Sequence, residues 1–200
     1  MVRRIETGII GLTGGIGAGK SIVARTLRLR GFEVYDCDIR ARRIMEEDPF
    51  IVSSLKGRFG EECYDASGAL ARQYLAAKLF SSETQRNWLN ALIHKAVRED
   101  IVRWKEKREP AFVESAILHT SGLDRICREI WIVEADEHIR FRRAMQRGGI
   151  SEENLRLRMQ AQKNEFDALE CQVIKRIDNS GLSALLWQLD RLLENIEKNN

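Results

Sequence analysis

Eight residues of this 200-residue chain, Gly14-Gly15-Ile16-Gly17-Ala18-Gly19-Lys20-Ser21, carry its densest chemistry. They satisfy the spacing GxxxxGK[ST]. Glycine is costly to order and leaves nothing to bury, so Gly14, Gly15, Gly17 and Gly19 need a reason to stand so close together. Successive backbone N–H groups that converge on phosphate oxygens supply one. That cradle requires positive φ and close approach of the backbone. The N-terminus of a following helix, opened by Lys20, Ser21 and Ile22, adds partial positive charge. Lys20 can reach β- and γ-phosphates, and the Ser21 hydroxyl can bind Mg²⁺. A glycine-rich turn with an unrelated Lys-Ser would share the pattern. A strand before the loop and a helix behind it separate the two readings.

Carboxylates come next. Asp36 and Asp38 end the second predicted strand, at the sheet edge where open α/β folds bind ligands. Residues two apart on an extended segment face the same way. Phosphoryl transfer to a hydroxyl needs an acid that orients the hydroxyl and accepts its proton. Asp38 could equally cap the following helix, a position aspartate favours. Glu114 ends another predicted strand and could hold Mg²⁺ through water, or be a surface acid at a strand end.

Arginines crowd the later half. Arg140, Arg142, Arg143 and Arg147 share one predicted helix, and Arg156 and Arg158 follow on the next. Arg143 and Arg147 lie four apart on one helix face, where like charges repel. A polyphosphate lying across them would offset the repulsion, and Gly148-Gly149 could hinge such a lid. A solvated basic face is the plainer alternative.

These groups need a scaffold that the hydrophobic pattern sketches. Strands are expected at Gly8 to Thr13, Phe32 to Tyr35, Ala111 to Ser115, Ile130 to Val133 and Val173 to Ile177. A helix over Lys20 to Arg30 stops at Gly31. Ile39 to Lys107 is almost all helical in pattern, with Gly57, Gly60 and Gly68 as punctuation: short helices, then a long one from about Ser82 to Lys107. Helices follow at Asp136 to Arg147, Glu152 to Phe166 and Leu182 to Glu197. The last places Leu185, Leu186, Leu189, Leu192 and Leu193 on its apolar face. Strand, loop, helix, strand opens a βαβ unit, so a parallel sheet is expected. The fold class is α/β: a three-layer P-loop NTPase fold with a five-stranded parallel sheet. One domain spans 1–200, with a helical lobe at 39–107, which the resemblance given below makes the acceptor-binding lobe, and lid helices at 136–166.

Composition narrows the function. Hydrophobic residues make up 44% of the chain, enough for a sizeable core. A net charge of +3 is too mild to argue for nucleic acid. Arginines outnumber lysines, which suits a phosphorylated small molecule. The four cysteines form no CxxC pair, so zinc and a disulfide frame are not expected. No apolar run reaches the roughly 18 residues of a membrane span, and Met1 to Thr7 is no signal peptide. A reduced, cytoplasmic chain without nucleic-acid or membrane partners is expected.

Four segments carry a resemblance. They are GLTGGIGAGKS; Val34-Tyr35-Asp36-Cys37-Asp38 with Ala41-Arg42; Asn87-Trp88-Leu89-Asn90-Ala91-Leu92-Ile93-His94; and Ile177-Asp178-Asn179-Ser180-Gly181. Together they resemble dephospho-coenzyme A kinase, over nearly the whole chain. The loop is shared by many nucleotide-binding enzymes; the Asp-x-Asp and the Trp-Leu-Asn-Ala-Leu-x-His segment are particular to that family. The resemblance implies transfer of the ATP γ-phosphoryl to the ribose 3′-hydroxyl of dephospho-coenzyme A, with ATP and Mg²⁺ as cofactors. It gives Asp38 the general-base role and leaves Asp36 to assist Mg²⁺ or hold substrate. It matches Arg143, Arg147 and Arg158, with Gln162, to the family's lid. Arg72 and His94 fall on the acceptor side, and Asn179 and Gly181 on a loop beside adenine. Departures occur at Lys95, where the family has proline after the histidine, and at Ala116 and Thr120, where it has proline and glutamate. A monomer, or a weakly self-associating chain, is implied. Another P-loop nucleoside or nucleotide kinase, or a non-catalytic nucleotide switch, would share the loop.

Overall fold

The computed structural model describes residues 8–106, 110–181 and 184–198. Its sheet runs β2-β3-β1-β4-β5. The strands are β1 (Ile9–Gly14), β2 (Val34–Asp36), β3 (Ala111–Glu114), β4 (Cys127–Glu134) and β5 (Ile174–Asp178). β1 pairs in parallel with both β3 and β4, and β4 with β5. All six residues of β1 are buried, as a central parallel strand requires. The five-stranded parallel α/β architecture expected from the sequence is therefore present.

Helix α1 (Lys20–Leu29) buries Val23, Ala24 and Leu27, the side that its spacing selects. Its C-terminus explains why β2 starts at Val34 rather than Phe32. Gly31 takes φ 89°, its N–H donates to Arg28 O and the Phe32 N–H donates to Leu27 O, both near 3 Å. Phe32 is thus spent closing the helix in a Schellman turn. Its ring then packs edge-to-face on Phe112, which meets Trp131 in the same way. These rings join Ile10, Leu12, Val133 and Ile177 of the sheet.

The closing helix α9 (Leu185–Lys198) covers that core with Leu189, Leu193 and Ile196. Leu186 was expected on the same face but is 55% exposed. A 3.6-residue period turns it away from the Leu185–Leu189–Leu192–Leu193–Ile196 stripe. The expected start at Leu182, like the expected end of the long helix at Lys107, lies outside the described residues.

The chain forms two compact units, Met1–Tyr35 with Lys107–Asn200, and Asp36–Glu106. The second is helical: α2 (Cys37–Glu47), α3 (Pro49–Phe59), α4 (Arg72–Phe80) and α5 (Glu83–Lys105). Side-chain caps fix the starts of α2, α3 and α5. Asp36 accepts from Ile39 N, Asp48 from Phe50 N and Ile51 N, and Ser82 from Gln85 N. Leu89, Ile93, Val97 and Ile101 repeat every four residues and form the buried stripe of α5. The Arg40 guanidinium grips Asp100 with two hydrogen bonds, of 2.7 and 3.0 Å, and so joins α2 to α5.

In the first unit, α6 (Glu137–Gln146) precedes α7 (Glu152–Ala161) and α8 (Lys163–Asp167). One helix was expected over Glu152 to Phe166. It breaks at Gln162, because Gln162 and Glu165 are both drawn into long-range hydrogen bonds. Among the described residues no helix is long and apolar enough to cross a membrane.

Candidate active site

The loop after β1 is shaped as its glycines anticipate. Gly17 and Gly19 take φ 77° and 99°, left-handed values that penalise any Cβ. Space is closed to side chains as well. A Cβ at Gly17 would enter the Arg140 carbonyl, and one at Gly19 would enter the Asn179 amide. Among the described residues, no hydrogen bond claims the N–H of Gly17, Gly19, Lys20 or Ser21. Those donors, at the N-terminus of α1, make an anion cradle.

Register places the first acid. Leu12 of β1 pairs with Glu114 of β3, so Glu114 stands at the carboxyl edge beside the loop. Its side chain is buried, not a surface acid. The Lys20 ammonium donates to it across 2.8 Å, and Arg28 lies 3.8 Å away. Burying an unpaired carboxylate is prohibitive, and the pair keeps Lys20 poised at the loop.

Asn179 reaches the loop from the other side. Its backbone N–H donates to Glu134 O across 2.8 Å, which fixes the turn after β5. Its amide nitrogen donates to Ala18 O across 2.7 Å. A cavity of about 330 Å³ opens there, lined among others by Gly15, Glu134, Asp136, Arg140, Asp178 and Ser180.

The arginine helix contributes unevenly. Arg143 keeps its Nη1 buried with no hydrogen-bond partner among the described residues, as does the Thr13 hydroxyl. A buried donor without a partner is costly, and an anion from outside the chain would satisfy it. Arg147 caps the C-terminus of α6 and is exposed, and so is Arg158 on α7. Arg140, passed over at the level of sequence, is the arginine that touches the loop: its Nε donates to Ile16 O across 3.0 Å. Burial pushes its guanidinium pKa down, against Glu137 and Glu134. The only signal for it was its place in the arginine crowd.

Loop, Lys20, Glu114, Asn179 and Arg143 thus belong to one compact unit. Ser21 and Ile22 are exposed at the helix start, and the Ile22 N–H is already given to Gly19 O at 2.9 Å. Asp36, Asp38, Arg72 and His94 belong to the other unit. There the cap of α2 is Asp36, through Ile39 N at 3.0 Å, and Asp38 is exposed two residues later, in the first turn of the helix. Arg72 opens α4 with its guanidinium 3.8 Å from Glu46, and His94 is half-buried on α5.

The family model described as dephospho-CoA kinase matches residues 8–183. The chain belongs to the dephospho-CoA kinase family. A dephospho-CoA kinase of Porphyromonas gingivalis is 38% identical over 189 residues, covering 94% of this chain and 93% of that protein. Among solved structures, a Thermus thermophilus protein superimposes with a TM-score of 0.73 at 30% identity, covering 96% of each chain. Dephospho-CoA kinase from Campylobacter jejuni shares the fold, with a TM-score of 0.69 at 19% identity and coverage of 96% of this chain and 98% of that one. The family is a kinase family using ATP, and its reaction is the final step of coenzyme A biosynthesis.

The donors present fit the groups that a dephospho-CoA kinase requires. The glycine cradle and the unpartnered Arg143 suit a polyphosphate. No cluster of three or more His, Cys, Asp or Glu side chains able to hold a metal occurs among the described residues. Mg²⁺ is held by one or two side chains and substrate phosphates rather than by a protein cage, and the Ser21 hydroxyl and Glu114 carboxylate are oxygen donors of that kind.

Proposed function

We propose that this chain transfers the γ-phosphoryl of ATP to the ribose 3′-hydroxyl of dephospho-coenzyme A, with Gly14 to Ser21 binding the polyphosphate. The observation that carries the assignment is the Lys20–Glu114 pair at the mouth of a glycine cradle in which, among the described residues, the N–H groups of Gly17, Gly19, Lys20 and Ser21 are unclaimed. Arg143 and Arg147 neutralise the charge that spreads over the transferring group, and Arg158 contacts substrate. The Ser21 hydroxyl and the Glu114 carboxylate, through water, would hold Mg²⁺. When bound, that ion would supply charge neutralisation for the transferring phosphoryl group. Asn179 sets the loop beside the adenine.

Asp38 accepts the proton of the attacking hydroxyl, and Asp36 helps to hold the acceptor. Two facts support this division. The family motif matches the second acid of Asp36-x-Asp38 to the base, and the cap of α2 is taken by Asp36, which leaves the Asp38 carboxylate available. Arg72 and His94 bind the acceptor in the unit formed by Asp36–Glu106, a role supported by their match to the family's segments. The chain acts on small molecules in the cytoplasm, as a monomer or a weakly self-associating chain.

ADP release from Mg-ATP tests the assignment, with dephospho-coenzyme A, adenosine, AMP and pantothenate as separate acceptors. Turnover with dephospho-coenzyme A alone, lost in Asp38→Asn, is the expected result. Turnover with another acceptor overturns the acceptor assignment and keeps the loop chemistry. ATP binding without turnover for any acceptor would instead favour a nucleotide-dependent switch.

A further inference from the structure

Ile16 stands inside the phosphate loop, and both of its backbone polar groups are held by side chains far along the chain. The Ile16 N–H donates to Gln162 Oε1 across 2.8 Å. The Ile16 carbonyl accepts from Arg140 Nε across 3.0 Å. Its side chain packs against the small cluster of Ala144, Leu155 and Met159, on α6 and α7. Arg140 goes further: its Nη2 fills the place where Gly15 lacks a Cβ, and its carbonyl the place where Gly17 lacks one. A glycine-rich loop left to itself would sample many shapes. Here α6 and the residue after α7 hold its central residue at three points.

We propose that Gln162 and Arg140 are positioning residues for phosphoryl transfer, gripping Ile16 from both sides so that the loop and helices α6 and α7 keep one geometry. The inference rests on the assignment of Gly14 to Ser21 to ATP. Neither side chain needs to touch ATP for this. Because the Ile16 N–H is given to Gln162, it is not a phosphate donor, and its hydrogen bond serves the shape of the cradle. A preformed cradle binds without first paying to order its backbone. Gly15 and Gly17 are then glycine for two reasons at once: phosphate approach above the loop and Arg140 beneath it.

The test uses Gln162→Met, which keeps the length and removes the acceptor, Arg140→Met, and the double variant. Each single change is expected to lower kcat/KM for ATP roughly fivefold to tenfold, the size of one lost hydrogen bond. KM for dephospho-coenzyme A stays unchanged, and the melting temperature falls by no more than the few degrees that one lost hydrogen bond costs, with the protein fully folded at the assay temperature. Because both side chains hold one residue, the double variant is expected to lose no more than the worse single one. Gln162→Glu keeps an acceptor oxygen and is expected to stay within about threefold of wild type. Amide exchange supplies a readout without nucleotide: Ile16 N–H is protected in the wild type and exchanges freely in Gln162→Met. Multiplying losses in the double variant, activity loss that tracks unfolding, or an unprotected Ile16 amide in the wild type would each overturn the proposal. Failure of the wild type to bind ATP overturns the loop assignment, and the proposal with it. That result is recognisable because it needs neither substitution.

Discussion

The Lys20 ammonium lies 2.8 Å from the Glu114 carboxylate, and both side chains are largely withdrawn from water. Removing one partner strands the other charge. Lys20→Met is expected to cost about 3 kcal/mol of stability, as for other broken buried pairs. Lys20→Met with Glu114→Gln is expected to recover most of that stability and none of the phosphoryl transfer. Denaturant melts beside ADP-release assays check both halves. A double variant as unstable as Lys20→Met would show that the pair is not what holds the strand edge.

Asp36 and Asp38 are expected to separate stability from turnover. Asp36 caps α2, so Asp36→Ala is expected to cost about 1 kcal/mol. Asp38→Asn is expected to leave the melting temperature alone and lower kcat by roughly 10²–10⁴-fold, the usual contribution of a general base. Equal destabilisation by the two changes would argue against this division of labour.

Gly17→Ala meets both a positive φ of 77° and the Arg140 carbonyl. The left-handed conformation alone costs about 1–2 kcal/mol for a residue with a Cβ. ATP affinity, measured by calorimetry, is expected to fall at least about tenfold, since the strain is relieved only by reshaping the cradle. Gly57→Ala, where a Cβ meets nothing within 4 Å, serves as the control and is expected to be silent.

Glu165 is buried and accepts from His119 N, from Thr120 N and, at 2.6 Å, from the Thr120 hydroxyl. This tie fixes the segment after β3 to α8. Glu165→Ala strands three donors and is expected to cost about 3 kcal/mol. Thr120→Val removes one donor and is expected to cost about 1 kcal/mol. Urea titrations of both variants would rank them, and the reverse order would discount the tie.

Alkaline pH is expected to weaken the fold. Burial, then Cys171 and Asp124, pushes the Cys127 thiol from 9.0 up to about 12. Burial, then Cys63 and Glu46, pushes the Tyr64 phenol from 10.0 to about 12. Tyr64 also donates its hydroxyl proton to Met45 O, at 2.5 Å. Both folded pKa values lie above the unfolded ones. Their contribution is therefore complete below about pH 9 and is lost as pH rises towards 12. Melting temperatures from pH 8 to 11 are expected to fall, and to fall less in Tyr64→Phe. An identical slope in that variant would remove Tyr64 from the account.

Local signals sufficed for much of this protein. Short apolar, β-branched runs located all five strands, because parallel strands buried on both faces read as continuous hydrophobic stretches, and the helical stretch after Asp38 showed in its 3.6-residue pattern. The glycine spacing located the tight loop after β1, because only glycine readily takes φ 77° and 99° beside so close a neighbour. Edges were less legible. Phe32 has strand character, yet the Schellman turn of α1 spends it, and Leu186 has the right residue type on the wrong side of α9.

What tertiary structure alone decided are the pairings between distant residues. Lys20 and Glu114 are 94 positions apart, Ala18 and Asn179 161, and Ile16 and Gln162 146. No periodicity records such partners, since each depends on strand order and register that bring separate segments to one sheet edge. That is why sequence placed Glu114 near Mg²⁺ without seeing its lysine, and why Arg140 stayed one arginine among several. The break of the α7–α8 segment at Gln162 has the same origin: long-range hydrogen bonds outweighed a local preference for helix.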